Sequence, residues 1–489
     1  MVVRLEGHDC RHAVEQALLS WLPERERVWD GSLPETGDAL LSRLSPGETP
    51  PRAYARLRLD GALGEGEALL EGPWPEEPLL RRRAEQRLVK TALYRALTAC
   101  TGETLPWGAL TGVRPAKLAA RLLGETGDDP ERAGAAMERI YSLSPERARL
   151  CAEAGMASRR VTRELEDRDA VLYLGIPFCP SRCAYCSFVS HSVEKSLALV
   201  EPYVDALCRE LEGTAELVRE TGLRLRAFYM GGGTPTTLSA AQLDRVLGLL
   251  REKFDWSACG EWTVEAGRPD TLDREKLAVL AKHGTDRISI NPQTMEDRVL
   301  AAIGRKHSAA DIEACFHMAR EVFPGQINMD LIAGLPEDTE SGFARSLDRV
   351  LALEPENVTV HCLTRKRGAD LNAREGLYPD GEAVSRMLEH ARDRLTGTGY
   401  HPYYLYRQKF SAGGLENTGW AQPGTECLYN ICMMEELCHV LSLGAGGVSK
   451  RLWRESGAIR RAVNKKYPKE YLDCPGDAVE RKRKLFLEP

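Results

Sequence analysis

The chain has 489 residues, 43% hydrophobic and 28% charged, the profile of a soluble globular protein too long for one ordinary core, so two or three domains are expected. Its formal net charge of -6 argues against a general nucleic-acid binder, which would neutralise several phosphates with a basic face. A polar start, MVVRLEGHDC, and the lack of any run of about 18 apolar residues argue against a secretory signal and a membrane span, so a cytoplasmic protein is expected, whose 14 cysteines are buried side chains and metal ligands rather than a disulfide framework.

Residues 1–165 read as an α+β or mostly helical module: a strand over Val2–Leu5, a helix, a strand pair around Tyr54–Leu59 and Ala68–Leu70, then helices from about Leu79 to Leu165. From Val171 onward, short β-branched or apolar runs (VLYLGI, RAFYM, EWTVEA, RISI, INMDLI and VTVHCL) alternate with helical stretches such as Tyr203–Glu220, Ala241–Phe254 and Arg274–Lys282. Six such units over residues 166–367 predict a parallel α/β sheet, in which chemistry belongs at the carboxyl ends of the strands. Residues 368–489 form a third, mixed and more polar region, and its basic end, Arg481 to Lys484, reads as a solvated tail.

The strongest motif is LYLGIPFCPSRCAYCSF, where Cys179, Cys183 and Cys186 form a Cys-x-x-x-Cys-x-x-Cys loop directly after the first strand of the series. Zinc sites usually take four ligands, often two separated Cys-x-x-Cys pairs, and no matching second pair accompanies these three. Three thiolates suit a four-iron, four-sulfur cluster with one iron left open. Pro177 and Pro180 favour the extended or turning backbone that a cluster-wrapping loop needs. After the second run comes MGGGTPTTLS, whose glycines allow close approach of backbone to a ligand.

The spacing and flanks of the cysteines resemble the radical S-adenosylmethionine (SAM) superfamily, and the resemblance implies a partial (β/α)6 TIM-like barrel with a 4Fe-4S cluster and SAM as cofactors. On that likeness Cys179, Cys183 and Cys186 are the cluster ligands. Gly231, Gly232, Gly233 and Thr234 match the glycine motif that meets SAM. Glu265, Gln293, Arg305 on the following helix, Asp330 in NMDLIAGLP, Tyr173 and Tyr185 match further SAM-binding positions. YLGIPFCPSRCAYCSF, MGGGTPT, NMDLIAGLP, LENTGWAQPGTECLYN and LSLGAGGVS are similar to the oxygen-independent coproporphyrinogen III oxidase group, and the N-terminal extension with TGVRPAKLA and YYLYRQK is most like its HemZ-type coproporphyrinogen dehydrogenases.

That likeness implies oxidative decarboxylation of coproporphyrinogen III to protoporphyrinogen IX, a 5'-deoxyadenosyl radical abstracting a propionate β-hydrogen, with a porphyrinogen substrate and a low-potential electron donor of flavodoxin or ferredoxin type as partners. Such a hydrogen is too weakly acidic for acid–base catalysis alone. A substrate with four carboxylates calls for guanidinium partners, for which Arg365, beside Lys366 and Arg367, and Arg407, near Lys409, are candidates. Phe188 stands where the best-understood oxidases have a fourth cysteine and Gly175 where they have a histidine. The chaperone relatives also carry an aromatic at the Phe188 place, so a heme-binding chaperone is the alternative reading, and a radical SAM enzyme on another substrate a third. Cys427, Cys432, Cys438 and His439 are read as core packing along a helix from Leu428 to Leu441, with Met433 and Met434 in the same role.

Overall fold

The computed structural model describes residues 1–22, 24–186, 191–364, 378–408, 411–474 and 476–488. It divides into two compact units, Met1–Met156 and Ala157–Pro489.

The first unit is α+β. Five strands, β1 (Val2–Glu6), β2 (Val28–Trp29), β3 (Ala39–Ser45), β4 (Arg52–Leu59) and β5 (Ala62–Leu69), form one sheet in the order β2-β1-β3-β4-β5. In β4 the side chains alternate, burying Ala53, Ala55, Leu57 and Leu59, the period of a half-buried strand. Asp60 and Gly61, both at positive φ, make the two-residue hairpin turn to β5. The helix Pro78–Thr101 lies so close on β5 that a Cβ at Gly66 would stand 2.2 Å from the Ala92 carbonyl oxygen.

The second unit carries the parallel sheet. Its first strand, β6 (Asp169–Ile176), is followed by a short parallel pair, β7 (Phe178–Cys179) and β8 (His191–Ser192). Then come β9 (Arg224–Gly232), β10 (Trp262–Glu265), β11 (Arg287–Ser289), β12 (Gln326–Ala333) and β13 (Asn357–Cys362). β6, β9, β10, β11, β12 and β13 lie side by side, every pair parallel. Capped helices separate them; Ala240–Lys253 and Ala309–Val322 each begin with a reciprocal capping box, Ser239 with Gln242 and Ser308 with Asp311.

The region from 368 onward extends this same sheet at both edges. β14 (His401–Arg407) and β15 (Glu416–Ala421) add antiparallel beyond β13, whereas β16 (His439–Leu443) adds parallel beside β6, followed by β17 (Val448–Trp453) and β18 (Ala458–Val463). The eleven strands have two ends, β14 and β18, so the barrel is open.

Two expectations are corrected. The helix from Leu428 stops at Glu435, because Glu436 turns left-handed (φ 54°) and the apolar run HVLSL becomes β16 against β6. This turn brings the Cys438 thiol onto that of Cys432. Arg481 to Lys484 are no tail but part of the helix Asp477–Leu487, where Lys482 is fully buried and ion-paired with Glu210. Glu210 also accepts hydrogen bonds from Gly444 N (2.8 Å), Asn464 Nδ2 (2.8 Å) and Tyr471 OH (2.6 Å). The loop after β16 is thereby held over the end of β6, where Tyr203 OH donates to the Gly175 carbonyl at 2.8 Å and accepts from Ala445 N at 2.9 Å.

Candidate active site

The carboxyl ends of the parallel strands open on a cavity of about 390 Å³. Cys179, Cys183 and Cys186 line it, together with Tyr185, Gly232, Gly233, Thr234, Glu265, Gln293, Arg305 and Asp330. The glycine turn is laced to the cysteine strand: Gly233 N donates to the Ile176 carbonyl (2.7 Å), Thr234 N to the Phe178 carbonyl (2.7 Å), and Thr234 Oγ1 to Cys179 Sγ (3.5 Å). A Cβ on Gly233 would come within 2.5 Å of the Phe178 oxygen, so close backbone approach requires glycine there.

The cysteine loop is braced from two sides. Arg268, 3% exposed, donates Nη1 to the Ser181 carbonyl and Nη2 to Ser181 Oγ, both at 3.0 Å. Arg305 donates Nη2 to Tyr185 OH (3.0 Å) and Nη1 to the Asn291 carbonyl (3.1 Å). Arg305 lies three residues past the helix Asp297–Ala302 rather than on it, because Ile303 and Gly304 close that helix.

Two carboxylates face the cavity. Burial pushes the Glu265 carboxyl up to about 7, opposed by the hydrogen bond from Tyr229 OH (2.7 Å) and reinforced by the nearby Asp330. Asp330 accepts from Asn328 Nδ2 at 2.8 Å and lies 3.6 Å from His361 Nε2. Gln293 is held left-handed (φ 69°) by two bonds to β12, from its N to the Asp330 carbonyl (2.8 Å) and from Ile332 N to its own carbonyl (2.9 Å), a strained backbone of the kind found at ligand sites.

Tyr173 and Gly231 sit behind this lining. Tyr173 stacks on Tyr229 (6.4 Å, 17°) and on Tyr429 (6.2 Å, 24°). A Cβ on Gly231 would meet the Glu265 carboxyl at 3.0 Å. Arg407 donates Nε to the Gly414 carbonyl (2.9 Å), while its neighbours Tyr406 and Gln408 reach the cavity. Arg365, Lys366, Arg367, Lys409 and Phe188 lie outside the described residues.

Several lining groups escape the motif search. Arg268, three residues after Glu265, was open to discovery by the strand-end rule; Tyr404 and Tyr406 follow the two-residue period of β14, and Asn430 and Met434 share a helix face at i, i+4. Met434 therefore belongs to the cavity and not to the core alone.

The residues suit an iron–sulfur cluster and a zwitterionic ligand in one respect and leave one adjustment. Asn291 Oδ1 is buried without a hydrogen-bond partner beside the cavity, an acceptor in want of a donor. The three thiols share the cavity wall, yet among the described residues no three His, Cys, Asp or Glu side chains meet as a preassembled metal site. The segment Pro180–Cys186, which carries Cys183 and Cys186, has neither helix nor strand.

An open parallel half-barrel with a three-cysteine loop after its first strand and a glycine turn after its second is the framework of a radical SAM protein, and the Radical SAM superfamily model matches residues 173–350. The chain belongs to that superfamily and, within it, to the group of oxygen-independent coproporphyrinogen-III oxidase-like proteins: it is 40% identical over 380 residues to HemZ of Bacillus subtilis, covering 77% of this chain and 76% of the relative. Heme chaperone HemW of Haemophilus influenzae is 28% identical over 62% of this chain and 75% of its own. In fold, the chain is similar to coproporphyrinogen III oxidase HemN of Escherichia coli, with a TM-score of 0.51 at 23% identity over 68% of this chain and 78% of that one. The cofactors of the superfamily are a 4Fe-4S cluster and SAM. No helix among the described residues is long and apolar enough to cross a membrane.

Proposed function

We propose that the protein decarboxylates coproporphyrinogen III oxidatively to protoporphyrinogen IX, with Cys179, Cys183 and Cys186 holding the cluster. When bound, cluster and SAM supply a carbon radical able to take a hydrogen atom from an unactivated carbon. In this reading Gly232, Gly233, Thr234, Glu265, Gln293, Arg305 and Asp330 hold SAM, with Tyr173 and Gly231 supporting them from behind and Tyr185 fixing Arg305. Two of the four propionates then each lose one hydrogen atom, one carbon dioxide and one electron, the last passing to an acceptor, and two vinyl groups remain.

The observation that carries the reading is the composition of the remaining cavity wall. Tyr229, Tyr404, Tyr406 and Met434 supply ring and thioether surface, and Gln408, Asn417 and Asn430 supply neutral amides, which suits a broad apolar macrocycle with pyrrole N–H groups. Arg365 and Arg407 are proposed to hold propionates; Arg407 flanks that wall in sequence. The 40% identity to HemZ supports the same assignment.

A second reading, heme delivery, is favoured by the likeness to proteins named heme chaperone HemW. Anaerobic reconstitution with iron, sulfide, SAM, coproporphyrinogen and a low-potential reductant separates the two. Carbon dioxide, 5'-deoxyadenosine and a vinyl product are expected. Stoichiometric heme binding without any of these products overturns the proposal in favour of the chaperone.

A further inference from the structure

Residues 1–156 hold a second cavity, of about 510 Å³, where β5 meets the helices Pro78–Thr101, Pro115–Glu125 and Pro130–Tyr141. Its size falls in the range of small-molecule sites. Leu88, Leu122, Ile140 and Leu69 give it apolar surface, and Leu69 is 52% exposed. Four arginines, Arg87, Arg95, Arg121 and Arg139, line it against two carboxylates, Glu71 and Glu125, so the cavity is basic in a chain whose net charge is -6.

The local partners leave most of these donors unused. Arg139 pairs with Glu71, whereas Arg121 Nε stands 3.5 Å from Glu125 Oε1 in an exposed i, i+4 pair, an arrangement of little energetic value. Arg95 spends Nη1 on the Glu67 carbonyl, a neutral acceptor, at 2.5 Å. Arg87, half-buried, has no ion-pair or hydrogen-bond partner among the described residues. A guanidinium presents five donors in a planar fork matched to carboxylate or phosphate. Arg87 and Arg95 lie eight residues apart on one helix, about 12 Å along its axis, so a single small inorganic ion does not reach both.

We propose that this cavity binds an organic anion with an apolar body and at least two carboxylate or phosphate groups. The site is separate from the radical chemistry and does not rest on the proposed reaction. The test is a fluorescence titration of the full-length, cluster-loaded protein with the anionic amphiphile 8-anilinonaphthalene-1-sulfonate, followed by displacement with dodecanedioate or with dodecane-1,12-diyl bisphosphate. Saturable binding at one competed site is expected, weakened at least about tenfold in Arg87→Ala/Arg121→Ala. Leu69→Asp, which sets a carboxylate on an exposed position of the same wall, should weaken it similarly. Both variants should keep wild-type iron content and melting temperature. Displacement by dodecanedioate assigns the head groups as carboxylates, and displacement by dodecane-1,12-diyl bisphosphate as phosphates. Equal binding by wild type and both variants, or displacement by neither competitor, overturns the proposal.

Discussion

Arg268 grips Ser181 at two points, carbonyl and hydroxyl, each at 3.0 Å. Ser181 lies inside the cysteine loop, and Arg268 is itself anchored to Asp270 (Nε to Oδ1, 3.1 Å), so the end of β10 fixes a segment that has no ladder of its own. Charge-assisted hydrogen bonds contribute about 1.5–3 kcal/mol each. Arg268→Gln should therefore release iron to a chelator about tenfold faster or more, with the far-ultraviolet circular dichroism unchanged. Unaltered iron release would show that the loop needs no such brace.

Glu265 makes stability depend on pH. Its carboxyl is raised to about 7 chiefly by burial, so between about pH 4.5, where it titrates when unfolded, and pH 7 the folded state binds more protons than the unfolded one. Stability from this group is fully present below that range and is lost as pH rises through 7. Glu265→Gln, which cannot ionise, should gain on wild type by up to about 3 kcal/mol between pH 5 and pH 8 in the cluster-free protein. Thermal denaturation across that range checks it. Parallel pH profiles for the two proteins would remove Glu265 as the source.

The Lys482–Glu210 pair tests the C-terminal helix. Both side chains are buried, and deleting one partner leaves an uncompensated charge, a loss of about 3–5 kcal/mol. Lys482→Met should lower stability by that amount in chemical denaturation, and Lys482→Met/Glu210→Gln should recover much of it. Recovery is expected to be incomplete, since Glu210 also receives Gly444, Asn464 and Tyr471.

Legibility in the sequence followed how local the signal was. The alternation of VLYLGI, RAFYM and their successors with helices marked β6 and β9 to β13, six of the seven parallel strands of that sheet, because each is a short apolar run bounded by turns. HVLSL was absorbed into a preceding helix, since an apolar run of five residues looks alike in either state until β6 offers it an edge. Lys482 looked like tail because its partner, Glu210, is 272 positions away. In the site, Cys179 and Gly233 announce themselves by motif. Arg268 and Asn291 follow the ends of β10 and β11, where the strand-end rule points, but their roles come from tertiary contacts with Ser181 and with the cavity, which no motif marks.

Gly233 offers the sharpest separation of steric from chemical roles. Its ideal Cβ would stand 2.5 Å from the Phe178 oxygen and 2.9 Å from the Phe178 nitrogen, and both are backbone atoms of the strand that delivers Cys179. Relief of that overlap must part the glycine turn from β7, stretching the 2.7 Å bonds from Gly233 N to Ile176 and from Thr234 N to Phe178. Overpacking of this kind costs about 1–3 kcal/mol. Gly233→Ala should thus weaken SAM binding by about tenfold or more in equilibrium dialysis against the cluster-loaded protein. Thr234→Val, which deletes only the Oγ1 contact to Cys179 Sγ, should bind SAM more nearly as wild type while altering the cluster's absorption. Wild-type SAM affinity in Gly233→Ala would place the ligand away from this turn, because no side chain fits there without moving backbone.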